Sequence, residues 1–218
     1  MVKAWGSTLL PRNPIMLKVG LTGGIASGKT YVAELLRDLG CEVSDADVVA
    51  REIVEPDQPA YQDIVQAFGQ EILHPDKTID RTKLGAIIFS DEQARLQLNA
   101  ITHPRIHEAQ SRWLAEVAGR NPEAIAITDA SLMIESGGYK RFDKIIVVYC
   151  SLEIQLERLM ARNNLPCEEA MKRIAAQMPA SEKLKYADYS VETSGGYEST
   201  DQQVRSLYIE LEKQTAKT

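Results

Sequence analysis

The stretch Gly23-Gly24-Ile25-Ala26-Ser27-Gly28-Lys29-Thr30 decides how the rest of this chain is read. It satisfies G-x-x-x-x-G-K-[ST], and that spacing has a mechanical reason. Glycines let the backbone wrap a phosphate so that successive N–H groups point inward, at the positive end of the following helix. Lys29 is then placed to reach the β- and γ-phosphates of a nucleotide, and the Thr30 hydroxyl to bind Mg²⁺. The pattern carries weight only between a strand and a helix, and both flanks comply. Lys18 to Thr22 reads as a short β-type segment, while Val32, Leu35, Leu36 and Leu39 fall at i, i+3, i+4, i+7 with Gly40 as the stop. Gly24, Ile25, Ala26, Ser27, Gly28, Lys29 and Thr30 are therefore the expected phosphate cradle.

Outward from the loop, the chain alternates strands and helices. A second strand reads at Cys41 to Ser44 and leads into Asp45-Ala46-Asp47. Ala124 to Thr128 and Lys144 to Tyr149 are nearly continuous apolar runs, as expected of strands covered by helices on both faces of a parallel sheet. The class is α/β. Thr200 and Gln203 stand in capping-box spacing ahead of Val204, Leu207, Tyr208 and Leu211, which predicts the last helix. Between Pro56 and Pro122 the pattern is helical only. Tyr61, Ile64, Val65 and Phe68 form one apolar face closed by Gly69, Ser90 and Gln93 frame a helix start, and Pro104 sits where an N1 proline belongs. A second helical stretch, Leu152 to Lys185, is interrupted at Asn163-Asn164-Leu165-Pro166.

Composition narrows the function. The 218 residues are 44% apolar and 26% charged, the balance of a globular protein with a core. A net charge of −6 argues against nucleic acid or an anionic membrane as partner, so any bound anion needs a local site. Three cysteines without C-x-x-C or zinc spacing fit a reduced, cytoplasmic compartment. No apolar run reaches the roughly 18 residues that span a bilayer. Residues 1–15 make a poor signal peptide and read as a disordered extension or an upstream start ahead of Met16.

Several side chains can carry chemistry. Asp45 and Asp47 follow the second strand at the carboxyl edge, where open α/β sheets bind ligands. A carboxylate there can take a proton from a substrate hydroxyl or hold a metal's water shell; it can equally cap the helix over Ala46 to Val54. Asp129 ends the AIAIT strand as a magnesium-reaching carboxylate would, or as a strand-end cap. Arg158 and Arg162 share a helix face, as do Arg173 and Gln177. They suit either a mobile flap that neutralises a transferring phosphoryl group or an ordinary solvated face. His103 fits a contact to substrate phosphate or ribose, or a helix cap. Trp113 and Phe68 lie on apolar stripes and read as core; His74 and His107 lack metal-ligand partners.

In their order, VGLTGGIASGKT (19–30), VSDADVVAREIVEP (43–56), PAYQDIVQAFG (59–69), IDRTKLGAIIFSDE (79–92), ITHPRI (101–106), QLERLMARNNL (155–165) and RIAAQMP (173–179) resemble the dephospho-CoA kinases from Leu17 onward. The resemblance implies a P-loop NTPase-like three-layer fold with a parallel sheet, a helical acceptor-binding insertion and a helical lid. It implies a core of residues 16–56, 123–151 and 186–218, an insertion over 57–122 and a lid over 152–185. The implied reaction moves the γ-phosphoryl group of ATP to the 3′-hydroxyl of the dephospho-CoA ribose, with Mg²⁺, in a monomer or small homo-oligomer. Asp47 is then the base, with Lys29 and Arg162 catalytic. Arg158 joins the loop in holding ATP, Asp45, His103 and Arg105 face the acceptor, and Thr30 and Asp129 face the metal.

Several positions depart from the family pattern. Ala26 replaces a common third loop glycine, which matters if that residue needs φ > 0. Asp57 stands where a glycine follows Pro56, Ser131-Leu132-Met133 where proline-leucine-leucine is usual, and Thr193 where an asparagine is common. The rival enzyme is another small P-loop kinase acting on a nucleotide, nucleoside or sugar acid. A GTPase-like switch would need N-K-x-D and D-x-x-G, and the chain has neither.

Overall fold

A computed structural model describes residues 16–215; the expectation for residues 1–15 falls outside it. Five strands form the sheet: β1 (Leu17–Gly23), β2 (Glu42–Asp45), β3 (Ile125–Asp129), β4 (Lys144–Tyr149) and β5 (Tyr189–Glu192). Their spatial order is β2-β3-β1-β4-β5, with every neighbouring pair parallel. Parallel neighbours require crossovers, and helices supply them on both faces. On one face α1 (Lys29–Asp38) and α9 (Gly196–Thr215) bury Val32, Leu36, Val204, Leu207 and Leu211 against Val19, Leu21, Ile127, Ile146 and Val148. The period-2 alternation sends Ala126, Ile145 and Val147 to the other face. There they meet Val117 in one cluster, and Met133 and Ile134 in another. The apolar runs read as doubly covered strands are therefore doubly covered.

Between β2 and β3 lie α2 (Ala46–Glu52), α3 (Pro59–Phe68), α4 (Arg81–Ser90) and α5 (Glu92–Arg120). These helices have their own core, Ile64, Ile72 and Leu84, with Phe68, Leu98 and Ile101 packed against it. Between β4 and β5 lie α6 (Leu152–Asn163), α7 (Cys167–Ala175) and α8 (Ala180–Lys183). Asn164, at φ 49°, ends α6 in the left-handed region that asparagine tolerates.

Several local expectations are corrected. Pro104 starts no helix: it lies inside α5, which runs unbroken for 29 residues. An interior proline removes one hydrogen bond and costs about 3 kcal/mol. Here Leu98 and Ile101 are anchored in the insertion core before it, and Trp113, Leu114 and Val117 against β3 after it, so packing outweighs the local rule. The cap of α5 is Asp91, which accepts from Gln93 N and Ala94 N, and Ser90 is the last residue of α4. The final helix begins at Gly196 rather than Thr200. Thr200 Oγ1 donates back to Gly196 O at 2.8 Å, and Gln203 binds both backbone groups of Glu192. The insertion is not wholly helical either: Leu73 and Ile79 form an antiparallel bridge.

Candidate active site

The loop after β1 runs into α1 through Gly28, whose φ of 86° places it in the left-handed region. No side chain caps α1 and no acidic residue stands in its first turn, so its leading N–H groups remain free for an anion. A Cβ on Gly28 would lie 3.2 Å from Thr193 Oγ1, so glycine is needed there for space as well as for φ. Ala26 adopts φ 58°, the condition under which its replacement of glycine matters. The Ser27 hydroxyl is buried and has no partner among the described residues.

The sheet register brings the acids to the loop. Leu21 pairs with Asp129 and Asp45 with Asp129, so β2 and β3 end at one level and β1 runs two residues further, to Gly23, where the loop begins. The Lys29 ammonium forms an ion pair with Asp129, and both side chains are nearly buried. Burial pushes the Asp129 carboxyl above its usual range; Lys29 pulls it back, while the charges of Asp45 and Asp47 add to the rise. Asp45 is the N-cap of α2, its Oδ1 accepting from Asp47 N (2.7 Å) and Val48 N (3.2 Å). Asp47 stands in the first turn with its carboxylate free of capping duty, and its Oδ2 accepts from Ser131 Oγ at 3.4 Å. A cleft of about 540 Å³ opens beside Asp45 between α2 and α5, with Glu52, Arg112 and Trp113 among its walls.

The other expected residues sit as follows. Arg158 donates to Thr193 Oγ1 (2.9 Å) and Thr193 O (2.8 Å), and Thr193 Oγ1 donates to Ser27 O (2.8 Å). Arg158 thus reaches the loop through Thr193. Arg162 is exposed and donates from Nε to Asn163 Oδ1. Arg105 pairs with Asp63 and donates to Ile101 O, keeping its guanidinium inside the insertion. His103 is exposed on α5, stacked with His107 at 6.3 Å between ring centroids. Lys29, Asp129, Asp45 and Asp47 are brought together; the contacts of Arg105 and His103 are with other residues of the insertion.

Three further side chains hold the loop and its surroundings, and of these only Gln177 is among the flap candidates. Gln177 Oε1 accepts from Ile25 N at 2.7 Å, and Gln155 Nε2 donates to Ile25 O at 2.7 Å, so α6 and the bend after α7 grip one loop residue from both sides. Lys183 is 0% exposed. Its ammonium donates to Glu135 Oε1 (2.7 Å), Glu135 Oε2 (2.9 Å) and Ser131 O (2.9 Å). Glutamines and lysines on amphipathic helices ordinarily face solvent, so nothing local marks these contacts. Among the described residues no group of three or more His, Cys, Asp or Glu side chains could hold a metal on its own, and no helix is long and apolar enough to cross a membrane.

A family model described as dephospho-CoA kinase matches residues 17–199. Among curated proteins, the dephospho-CoA kinase of Moorella thermoacetica is 45% identical over 201 residues, 92% of this chain and 95% of that protein. That of Geobacter metallireducens is 48% identical over 195 residues, 89% of this chain and 96% of the other. Among solved structures, the dephospho-CoA kinase from Campylobacter jejuni superposes with a TM-score of 0.69 at 30% identity, over 90% of this chain and 98% of that one.

Proposed function

The chain belongs to the dephospho-CoA kinase family, and from that premise we propose that it phosphorylates the 3′-hydroxyl of the dephospho-CoA ribose with ATP, releasing CoA and ADP. The observation that carries the reading is the convergence at one sheet edge of an uncapped helix start, Lys29, Asp129 and Asp47. The N–H groups of Gly24 to Thr30 seat the triphosphate. Lys29 moves from Asp129 toward the terminal phosphates, where its charge offsets that of the transferring group. Asp47 accepts the proton of the ribose hydroxyl as its oxygen bonds to the γ-phosphorus and the bond to ADP breaks. Arg162, on the helical segment over 152–185, supplies further positive charge as that segment closes. The acceptor lies against the helices of residues 57–122.

Magnesium fits the donor set. Asp129 is a hard oxygen ligand, and Asp45 and Asp47 lie near enough for their charges to act on it, so the site is locally acidic. With no protein-only cage among the described residues, the ion would be held by Thr30 and Asp129 together with nucleotide phosphates. When bound it neutralises phosphate charge. The three cysteines, all free thiols, accord with a cytoplasmic setting.

Coupled ADP release tests the reading, with dephospho-CoA compared against nucleosides, shikimate and gluconate. Turnover only with one of the other acceptors overturns the assignment. Asp47→Asn should retain ATP binding and lower kcat by about 10²-fold or more. An unchanged kcat moves the base elsewhere. Lys29→Ala should remove most of the phosphotransfer rate, and near-normal turnover takes Lys29 out of the mechanism.

A further inference from the structure

Among the described residues, one cluster of basic side chains outside the loop forms no ion pair. Arg141 ends the short 3₁₀ turn Gly138–Arg141, and its guanidinium lies on the middle of α5. Its Nη1 donates to Gln110 Oε1 at 3.2 Å and its Nη2 to Ser111 Oγ at 3.3 Å. Both acceptors are neutral, and Gln110 is itself buried, so the guanidinium is held in place without being neutralised. One turn up the helix comes His107, and another turn up His103. Their rings are stacked at 25° and both are exposed. None of the three forms an ion pair with a carboxylate of the described residues, in a chain that carries six more acidic than basic charges. The His107 imidazole is pushed below its usual range, first by burial, then by the charge of Arg141 and then by that of His103. Arg141 and His103 thus both act against a positive charge on His107, and a bound anion would offset that repulsion.

The cluster is tied to the site by a single short segment. Residues 130–141 fold into a compact turn, with Ser136 N donating to Leu132 O and Tyr139 N to Met133 O. Ser131 at one end touches Asp47, and Arg141 at the other end rests on α5. An acceptor whose ribose hydroxyl meets Asp47 carries, on the same ribose, a diphosphate bridge that needs a cationic seat. We infer that Arg141, His107 and His103 form that seat, binding the diphosphate of the acceptor. This rests on the reading of the acceptor as dephospho-CoA. A planar guanidinium pre-positioned by neutral partners keeps donors in its fork for two phosphate oxygens. The two imidazoles add ring N–H donors on the same face of α5.

Steady-state kinetics with dephospho-CoA, and inhibition by adenosine, which shares the ribose and lacks the diphosphate, separate the outcomes. For Arg141→Ala the KM for dephospho-CoA should rise about ten- to a hundredfold, the loss of one or two charge-assisted bonds. The inhibition constant of adenosine should be unchanged. Arg141→Lys, which keeps the charge and loses the fork, should recover part of the loss. His107→Ala should give a smaller rise of the same kind. An equal weakening of adenosine by Arg141→Ala would mean that Arg141 only supports α5, and an unchanged KM for dephospho-CoA would place the diphosphate elsewhere; either overturns the inference. Wild-type turnover of dephospho-CoA is measured in the same experiment, so failure of the acceptor assignment shows itself separately.

Discussion

Replacing Lys183 by methionine tests whether the buried ammonium holds the turn after β3 to the segment that follows α7. Methionine has a similar length and no charge, so the substitution removes three hydrogen bonds with little change in volume. What it strands decides the magnitude. Glu135 loses its ammonium and keeps one donor, Met178 N at 3.2 Å, while its side chain is 23% exposed. Ser131 O keeps the Thr22 hydroxyl at 3.2 Å. Breaking a buried pair on one side costs about 3–5 kcal/mol, and the residual exposure of Glu135 points to the lower end, about 3 kcal/mol. For a chain of this size that is a fall in Tm of roughly 6–12 °C. Urea unfolding of Lys183→Met, Glu135→Leu and the double variant closes a double-mutant cycle. The two changes should be non-additive by about 1–3 kcal/mol, because the double variant strands no charge. A single-variant loss under about 1 kcal/mol, or strict additivity, would refute the pairing as a source of stability.

Ala26→Gly should stabilise the protein by about 0.5 kcal/mol. Relief of roughly 1–2 kcal/mol of left-handed strain exceeds the added unfolded-state entropy and the lost methyl burial, and a lowered urea midpoint would contradict it. Asp57→Gly should act the same way by about 0.5–1 kcal/mol, measured in the same denaturation series, since Asp57 sits at φ 74°. Gly28→Ala should cost about 1–2 kcal/mol in stability and raise the KM for ATP, because its methyl is both left-handed and pressed on Thr193; ATP kinetics equal to wild type would contradict it. With a thiol-reactive disulfide at pH 8, Cys167 should react at once and Cys41 and Cys150 only on unfolding. Burial pushes the Cys41 thiol up to about 12, so its thiolate is scarce below that pH and the protection fades only as pH rises toward it.

The sheet was legible where burial on both faces made whole runs apolar, as in β1, β3 and β4. It was illegible at β5. Tyr189–Glu192 is an edge strand of four residues with only Val191 buried, and such a segment looks the same in sequence as a turn. The same limit explains α5 and α9. Pro104 and the Thr200–Gln203 spacing are local signals, each with a sound local mechanism, and each lost to a partner distant in sequence. Pro104 yields to two packed cores, and Gln203 spends its amide on the backbone of Glu192.

The site divides along the same line, between what the backbone needs and what side chains reach. Where the need is a dihedral angle, sequence comparison exposes it even at a departure. The glycine usual after Pro56 is explained by the turn Glu55-Pro56-Asp57-Gln58. Gln58 N donates to Glu55 O at 3.1 Å, proline takes the second position, and the third must have φ > 0. Ala26 answers to the same requirement inside the loop. Gln155, Gln177 and Lys183 satisfy no such local need. Gln177 is 152 residues from the peptide it binds and Lys183 is 48 from Glu135, so their roles exist only once the sheet has brought those segments together. A glycine-rich loop can thus be recognised before the fold is known, because its chemistry is that of its own amides. The residues that hold the loop shut cannot, because a glutamine amide or a lysine ammonium has the same chemistry in water as in a core, and only the far partner distinguishes the two.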